Sequence, residues 1–377
     1  MTWPNVTVTE QNLQQGPSGE IERHLLFIGE GTTGAGKLQA VTPQSNLDTL
    51  LGAADSVLKS NLNAALLNAG QNAYFHVYVL KTSQTWDDAV REAQLTSSFE
   101  GVVVAMDCVK ADVTKATNLR AELTATYGRW TWFILSIAGI VATGTQPPPQ
   151  TWADYVTAVS NLVKGIAASA VQVAPRNWGN EPGVLAGRLC NRGVTIADSP
   201  ARVMTGPLLA LGRDDLPVDK DGNPLELGTL QALEGNRFSV PMWYPDYEGY
   251  YWADGRTLDV AGGDYQSIRN LRVVDKVARR VRIKGIARIG DRSLNSTPTS
   301  VEANKQYFAG TLREMAKNTV VNNVAFPGEC MPPQSGDVVI TWVDSVTVNI
   351  YVLVRTYDCP LGIGINIMLK TSTEGDN

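Results

Sequence analysis

AYFHVYVLKTSQTWDDAVREAQLTSSFEGVVVAM, residues 73–106, sets the fold class. Ala73–Leu80 is a nearly unbroken apolar run, and Val102–Met106 is another. Neither alternates with polar residues, as a strand buried on both faces would not. Between them Trp86–Leu95 reads as a helix, so the two strands are joined by a crossover and run parallel. Working outward, His24–Ile28 (HLLFI) is an earlier strand. A helical stretch follows it through Leu47, Leu50, Leu51, Val57, Leu58, Leu62, Leu66 and Leu67 and stops at Gly70. Downstream, helix Ala111–Tyr127 leads to strand Thr131–Ile137. Past Pro147-Pro148-Pro149, a long amphipathic helix covers Trp152–Val171. Four strand–helix units in series predict an α/β domain with a mostly parallel sheet and helices on both faces.

The remainder is different in character. Asn177–Arg237 is rich in Gly and Pro, and its apolar segment Val184–Leu189 reads as a short strand continuing into Cys190. From Trp243 the chain becomes an aromatic, acidic loop (WYPDYEGYYW), then passes Gly262-Gly263 into one long helix ending near Lys284. A second helix covers Val301–Lys317. Val338–Val343 and Val346–Val354 read as strands, and Ile363, Ile365 and Ile367 alternate as a last strand would. A chain of 377 residues exceeds what one hydrophobic core usually serves. The expected division is an arm at 1–20, an outer α/β domain at 21–235, an inner α+β core domain with antiparallel strands at 236–360, and a second arm at 361–377.

Charge is sparse and uneven. Charged residues make up 18% of the chain, below the roughly 25% of ordinary soluble domains. The formal net charge is −5, yet the long helix carries Arg269, Arg272, Lys276, Arg279, Arg280, Arg282 and Lys284. Ile268, Leu271, Val274, Val277 or Ala278, and Val281 give that helix a buried stripe, and Arg269, Arg272, Lys276 and Arg279 recur on another face. Such a face is either solvated or complementary to an acidic partner. The acidic whole argues against nonspecific nucleic-acid binding. The N-terminus lacks the basic and apolar regions of a signal peptide, and the apolar run Trp130–Val141 is too short to span a bilayer.

Chemistry finds little to work with. Gly31–Lys37 (GTTGAGK) follows a strand and matches a phosphate-cradling loop up to its last position, where Leu38 replaces the metal-binding hydroxyl. Pro43 follows too soon for the helix that such a loop must enter. Asp219-x-Asp221-x-Asn223 opens like a calcium loop, but Pro224 and Leu230 occupy its required Gly and Glu positions, so an exposed turn is expected. His24 and His76 lie in apolar strands. Cys190, between Arg188 and Arg192, has either a lowered thiolate pKa or a structural role, the second being favoured. A Cys330–Cys359 bridge is conceivable. No cofactor and no metal are expected, and the alternatives to a structural protein are a nucleotide-binding protein using Gly31–Lys37 or a DNA-associated virion protein.

Several motifs together carry a resemblance. Trp252-Ala-Asp-Gly-Arg256, Asp264-Tyr265, Arg272-Val-Val-Asp-Lys276, Arg279-Arg280-Val-Arg282, the loop at Phe27–Gly34, Gly70–Leu80 and Ala197-Asp-Ser-Pro-Ala-Arg202 resemble the short tail-sheath proteins of contractile-tailed bacteriophages. The resemblance implies a non-enzymatic virion subunit, assembled in the host cytoplasm, that stacks as hexameric rings around a tail tube and contracts. It implies homo-oligomerisation and contacts with tube, baseplate and tail-terminator proteins, without membrane insertion or direct nucleic-acid contact. It also implies arms that add strands to neighbouring subunits, for which Val6, Val8, Ile363, Ile365 and Ile367 have the right alternation. Tube- or neighbour-facing charges would come from Arg269, Arg272, Lys276 and Arg279, or from Lys305, Arg313 and Lys317 on the second helix.

Overall fold

A computed structural model describes residues 21–145 and 147–369. In chain order, β1 (Leu25–Gly29) is followed by β2 (Leu38–Val41), α1 (Leu47–Leu51), α2 (Val57–Ala69), β3 (Phe75–Val79), α3 (Trp86–Gln94), β4 (Gly101–Val104), α4 (Lys110–Tyr127), β5 (Trp132–Ala138), α5 (Trp152–Val163), β6 (Val171–Arg176) and α6 (Glu181–Cys190). The six strands form one sheet in the order β2-β3-β1-β4-β5-β6. All neighbours run parallel except β2, which pairs antiparallel with β3 at the edge. β1, β3 and β4 are buried at every position, which is why their sequences show no alternation. Right-handed crossovers put α2 on one face and α3, α4 and α5 on the other. The helices are capped locally: Asn46, Ser56 and Thr151 accept hydrogen bonds from Thr49 N, Lys59 N and Asp154 N.

Gly31–Lys37 leads into the strand β2 and not into a helix, and Gly36 N donates to Val79 O at 2.8 Å, so the loop belongs to the sheet edge. Two expectations for this part are corrected. The helix expected to reach Val171 ends at Val163, and Val171–Arg176 forms β6, the sixth strand. Val184–Leu189 is helical, not extended. Every residue of α6 is buried, so it lacks the polar face that marks a surface helix. α6 lies directly on α2, joined by Gly183 and Gly187. A Cβ at either would strike a backbone carbonyl of α2, at Asn61 or Ala65. Asn61 Oδ1 accepts from Gly183 N at 2.8 Å across the same contact.

Beyond α6 come α7 (Leu227–Gly235), β7 (Pro241–Tyr244), β8 (Tyr247–Trp252), α8 (Ile268–Ile286), α9 (Pro298–Met315), β9 (Thr319–Val321), β10 (Val324–Phe326), β11 (Val338–Trp342) and β12 (Val348–Val352). The aromatic, acidic loop is a hairpin of β7 and β8, turned at Asp246, whose φ is 59°. β9–β10 and β11–β12 are further antiparallel pairs. The buried cluster around the large sheet takes in Phe238, Val240, Trp252, Leu258, Ile268 and Leu271, residues from the segment assigned above to the inner domain. Smaller clusters then join Val273, Val277, Leu312, Met315 and Cys330, and Phe308, Ala309, Val338 and Ile340.

Candidate assembly site

α8 crosses the edge of the sheet where β1, β4 and β5 begin. Its basic residues meet carboxylates there. Arg272 is 1% exposed, donating from Nε and Nη2 to the Glu100 carboxylate at 2.6 and 3.0 Å and from Nη1 to Leu189 O at 2.9 Å. Glu100, just before β4, also accepts from Arg23 N. Asp275 takes both arms of Arg120 from α4 at 2.7 and 3.0 Å. Lys276, 7% exposed, donates to Glu329 at 2.9 Å, and Arg279, 8% exposed, donates to Glu22 at 2.7 Å. The expectation that Arg272, Lys276 and Arg279 face a tube or neighbour is therefore corrected: all three are consumed inside the subunit. Burial works against the Glu100 carboxylate, but the Arg272 guanidinium outweighs it and holds the pKa below the usual range. At Asp275 burial wins over Arg120 and the pKa is raised.

The other charges named from sequence remain nearer the surface. Arg269 is half-buried and donates to Tyr357 O at 3.2 Å, tying the C-terminal segment to α8. On α9, Lys305 pairs with Glu302 at 2.6 Å, Arg313 is exposed and bonds to Gln306, and Lys317, just past its end, is exposed. Val6 and Val8 lie outside the described residues. Just before that Tyr357 contact, the chain is tethered by Leu353 N to Asp337 O, Met331 N to Arg355 O, and an ion pair between Arg355 and Asp337. Ile363, Ile365 and Ile367 then stand exposed, and among the described residues 361–369 forms no strand. The β11–β12 pair buries Val338 and Ile340 against Phe308 and Ala309 of α9. Among the described residues neither of its edges has a further strand.

Groups that could carry catalysis are absorbed into structure. His24 Nε2 and His76 Nδ1 lie 2.7 Å apart, and burial lowers both pKa values to about 4. Burial pushes the Cys190 thiol up to about 12, against the lowered thiolate. Cys330 and Cys359 are both free thiols, so the conceivable bridge is absent. Asp219 accepts from the amides of Asp221 and Asn223 at 2.9 Å each, closing a turn. Burial raises Glu181 to about 7, while its carboxylate accepts from Trp178 N at 2.6 Å and Gly179 N at 2.8 Å to close the β6–α6 connection. Among the described residues no group of three His, Cys, Asp or Glu side chains could hold a metal, and no helix is long and apolar enough to cross a membrane.

Comparison with known proteins bears on the whole chain. Residues 3–256 match the family model for the DUF2586 N-terminal domain and residues 264–372 that for the DUF2586 C-terminal domain. A protein of Haemophilus phage HP1, named "Putative tail sheath protein", is 50% identical over 377 residues, spanning 99% of this chain and all of the relative. Solved structures share the fold at low identity. A sheath subunit of the PVC extracellular contractile injection system, in a contracted sheath complex, gives a TM-score of 0.58 at 13% identity, covering 98% of both chains. A chain of the anti-feeding prophage baseplate gives 0.59 at 12% identity over 98% of this chain and 100% of its own. The sheath tail protein of Listeria innocua gives 0.53 at 9% identity over 91% and 93%. The chain belongs to the DUF2586 family of phage tail sheath proteins.

Proposed function

We propose that the chain is the structural subunit of a contractile tail sheath, a virion component that polymerises with copies of itself around a tail tube and shortens to drive the tube through the host envelope. The observation that carries this reading is the full-length correspondence with a tail sheath relative, both domains in order. No catalytic step is assigned, and the Gly31–Lys37 loop, which enters a strand, gives no support to nucleotide binding. Assembly in the host cytoplasm, hexameric rings, and contacts with the tube, baseplate and tail terminator belong to the same proposal. Tube- or neighbour-facing charges reduce to Arg269, Lys305, Arg313 and Lys317. The domain division proposed is an outer α/β part and an inner part organised on α8 and α9.

Connection between subunits rests on the chain ends. An extended segment with Ile363, Ile365 and Ile367 on one side can add to the open edge of a neighbour's β11–β12 pair, and Val6 and Val8 give the N-terminal segment the same capacity. Each added backbone hydrogen bond contributes about 1 kcal/mol, so connectivity comes from repetition over many subunits. Purified protein should form tubes or stacked rings by negative-stain electron microscopy. Deleting residues 1–18 should leave a folded protein that no longer forms long polymers. Polymers of normal length from that truncation would refute the role given to the N-terminal arm.

A further inference from the structure

Two exposed patches of opposite charge occupy different corners of the molecule. One is the tip of the β7–β8 hairpin, where Tyr244 and Tyr247 are 39% and 55% exposed beside exposed Asp246 and Glu248. The hairpin is held on the α2–α6 face. Leu208 N donates to Tyr250 O at 2.8 Å, and Leu209 exchanges two hydrogen bonds with Asn68 of α2, at 2.8 and 3.1 Å. Tyr250 also packs edge-on against Trp178, just past the end of β6.

The other patch is the far end of α8. Ile283, Ile286 and Ile289 recur at a spacing of three and are 39%, 51% and 81% exposed, with Arg282 and Arg292 exposed beside them. This end lies where β5 begins, on the α4 side: Arg282 packs over Gly128, the cap of α4, and Arg279 reaches Trp130 O. Single exposed apolar residues need no explanation, but two at the end of α8 and a third in the turn that follows it, with a basic rim, form a patch. Neither patch suits a second copy of itself, since that would set carboxylate against carboxylate or guanidinium against guanidinium. Each suits the other. Tyrosines offer rigid apolar area for the isoleucines and ring faces for the arginines, and the acidic side chains meet the basic ones. Because the patches sit on different faces, a copy that uses one keeps the other free, and a contact of this head-to-tail kind propagates without closing on a pair.

We propose that the Tyr244–Glu248 hairpin tip of one subunit docks on the Arg282–Arg292 end of α8 in the next copy. This rests on the sheath reading and adds a specific body-to-body contact to the connections made by the arms. Two variants test it, Asp246→Lys/Glu248→Lys and Arg282→Glu/Arg292→Glu, all four positions being exposed and outside the buried ion pairs. Each variant alone should remain folded by circular dichroism, with at most a modest drop in melting temperature from Lys in the left-handed turn at 246 or Glu beside the α4 cap, and lose on the order of tenfold or more in polymer yield, because like charges now face each other. An equimolar mixture should recover polymers, since the two altered patches now complement each other, as do the two unaltered ones. Polymers at wild-type yield from either variant alone, or loss not restored by mixing two folded variants, would overturn the contact while leaving the sheath reading in place. Intact polymers with loss only of tube attachment would also overturn it, assigning the basic patch to the tube. A wild type that forms no polymer under any condition would remove both readings together.

Discussion

At position 272 a guanidinium sits in the interior with its partner Glu100 drawn from 172 residues away. Removing one member strands the other charge in a medium that solvates it poorly. Glu100→Leu should therefore cost about 3–5 kcal/mol, measured by denaturant unfolding. The double variant Glu100→Leu/Arg272→Met should recover most of the loss, and simple addition of the two single effects would show the pair to be uncoupled. The His24–His76 contact has a different signature. Two neutral rings share one hydrogen bond; a proton on either would enter a buried site, and only with both rings charged would N–H face N–H. Their pKa values fall from 6.5 to about 4, so the folded state binds fewer protons than the unfolded one between those values. Their contribution is complete above pH 6.5 and is lost as pH falls toward 4, on the order of 3 kcal/mol per ring as an upper limit. Glu181, raised to about 7, contributes with the opposite sense, its stabilisation being present below 4.5 and lost as pH rises through 7. Comparing wild type with His24→Gln/His76→Gln isolates the histidines: the difference in stability should shrink or reverse on acidification from pH 7 to 4. A difference constant over that range would show that the rings do not titrate as a buried pair.

Among the elements, the α2–α6 contact is the most demanding. Gly183→Ala or Gly187→Ala would drive a methyl group into the α2 backbone, and each should cost about 1–3 kcal/mol in chemical denaturation, with unchanged stability refuting so close a contact. The sequence showed none of this, because α6 hides on all sides and its six-residue segment Val184–Leu189, apolar but for Arg188, matches a strand in length. β6 escaped for a related reason: Gln172 and Pro175 interrupt its apolar run, and the preceding helix pattern was carried past the break at Lys164-Gly165. In the β7–β8 hairpin, Pro245-Asp246 carries the turn signal, but aromatic residues on both sides of each strand conceal the alternation. By contrast β3, α3, β4, α4 and β5 were legible, since fully buried parallel strands and the helices between them write themselves as distinct runs. The arginines of α8 were located correctly as a helical set, but their direction was not legible. Spacing defines a face of a helix, and only the distant carboxylates Glu22, Glu100 and Glu329 decide that this face points inward.

For the whole molecule, the division between a tied-down body and the C-terminal segment that leaves it follows from where the tethers stop. The body is held by one large core and by ion pairs that cross its parts, whereas past Pro360 the described chain is exposed. Both entrances to that body are fastened to the same rod. Glu22, at the root of the N-terminal segment, is pinned to Arg279, and Tyr357, at the root of the C-terminal one, is pinned to Arg269. Ten residues of helix separate the two pins, about 15 Å. α8 thus acts as a gauge bar: it fixes the distance between the points at which the two end segments leave the body. Under the proposed linkage through those ends, a subunit that swings as a unit would carry both exits through the same rotation, so the pitch of the lattice would change while the spacing of its knots on each subunit would not.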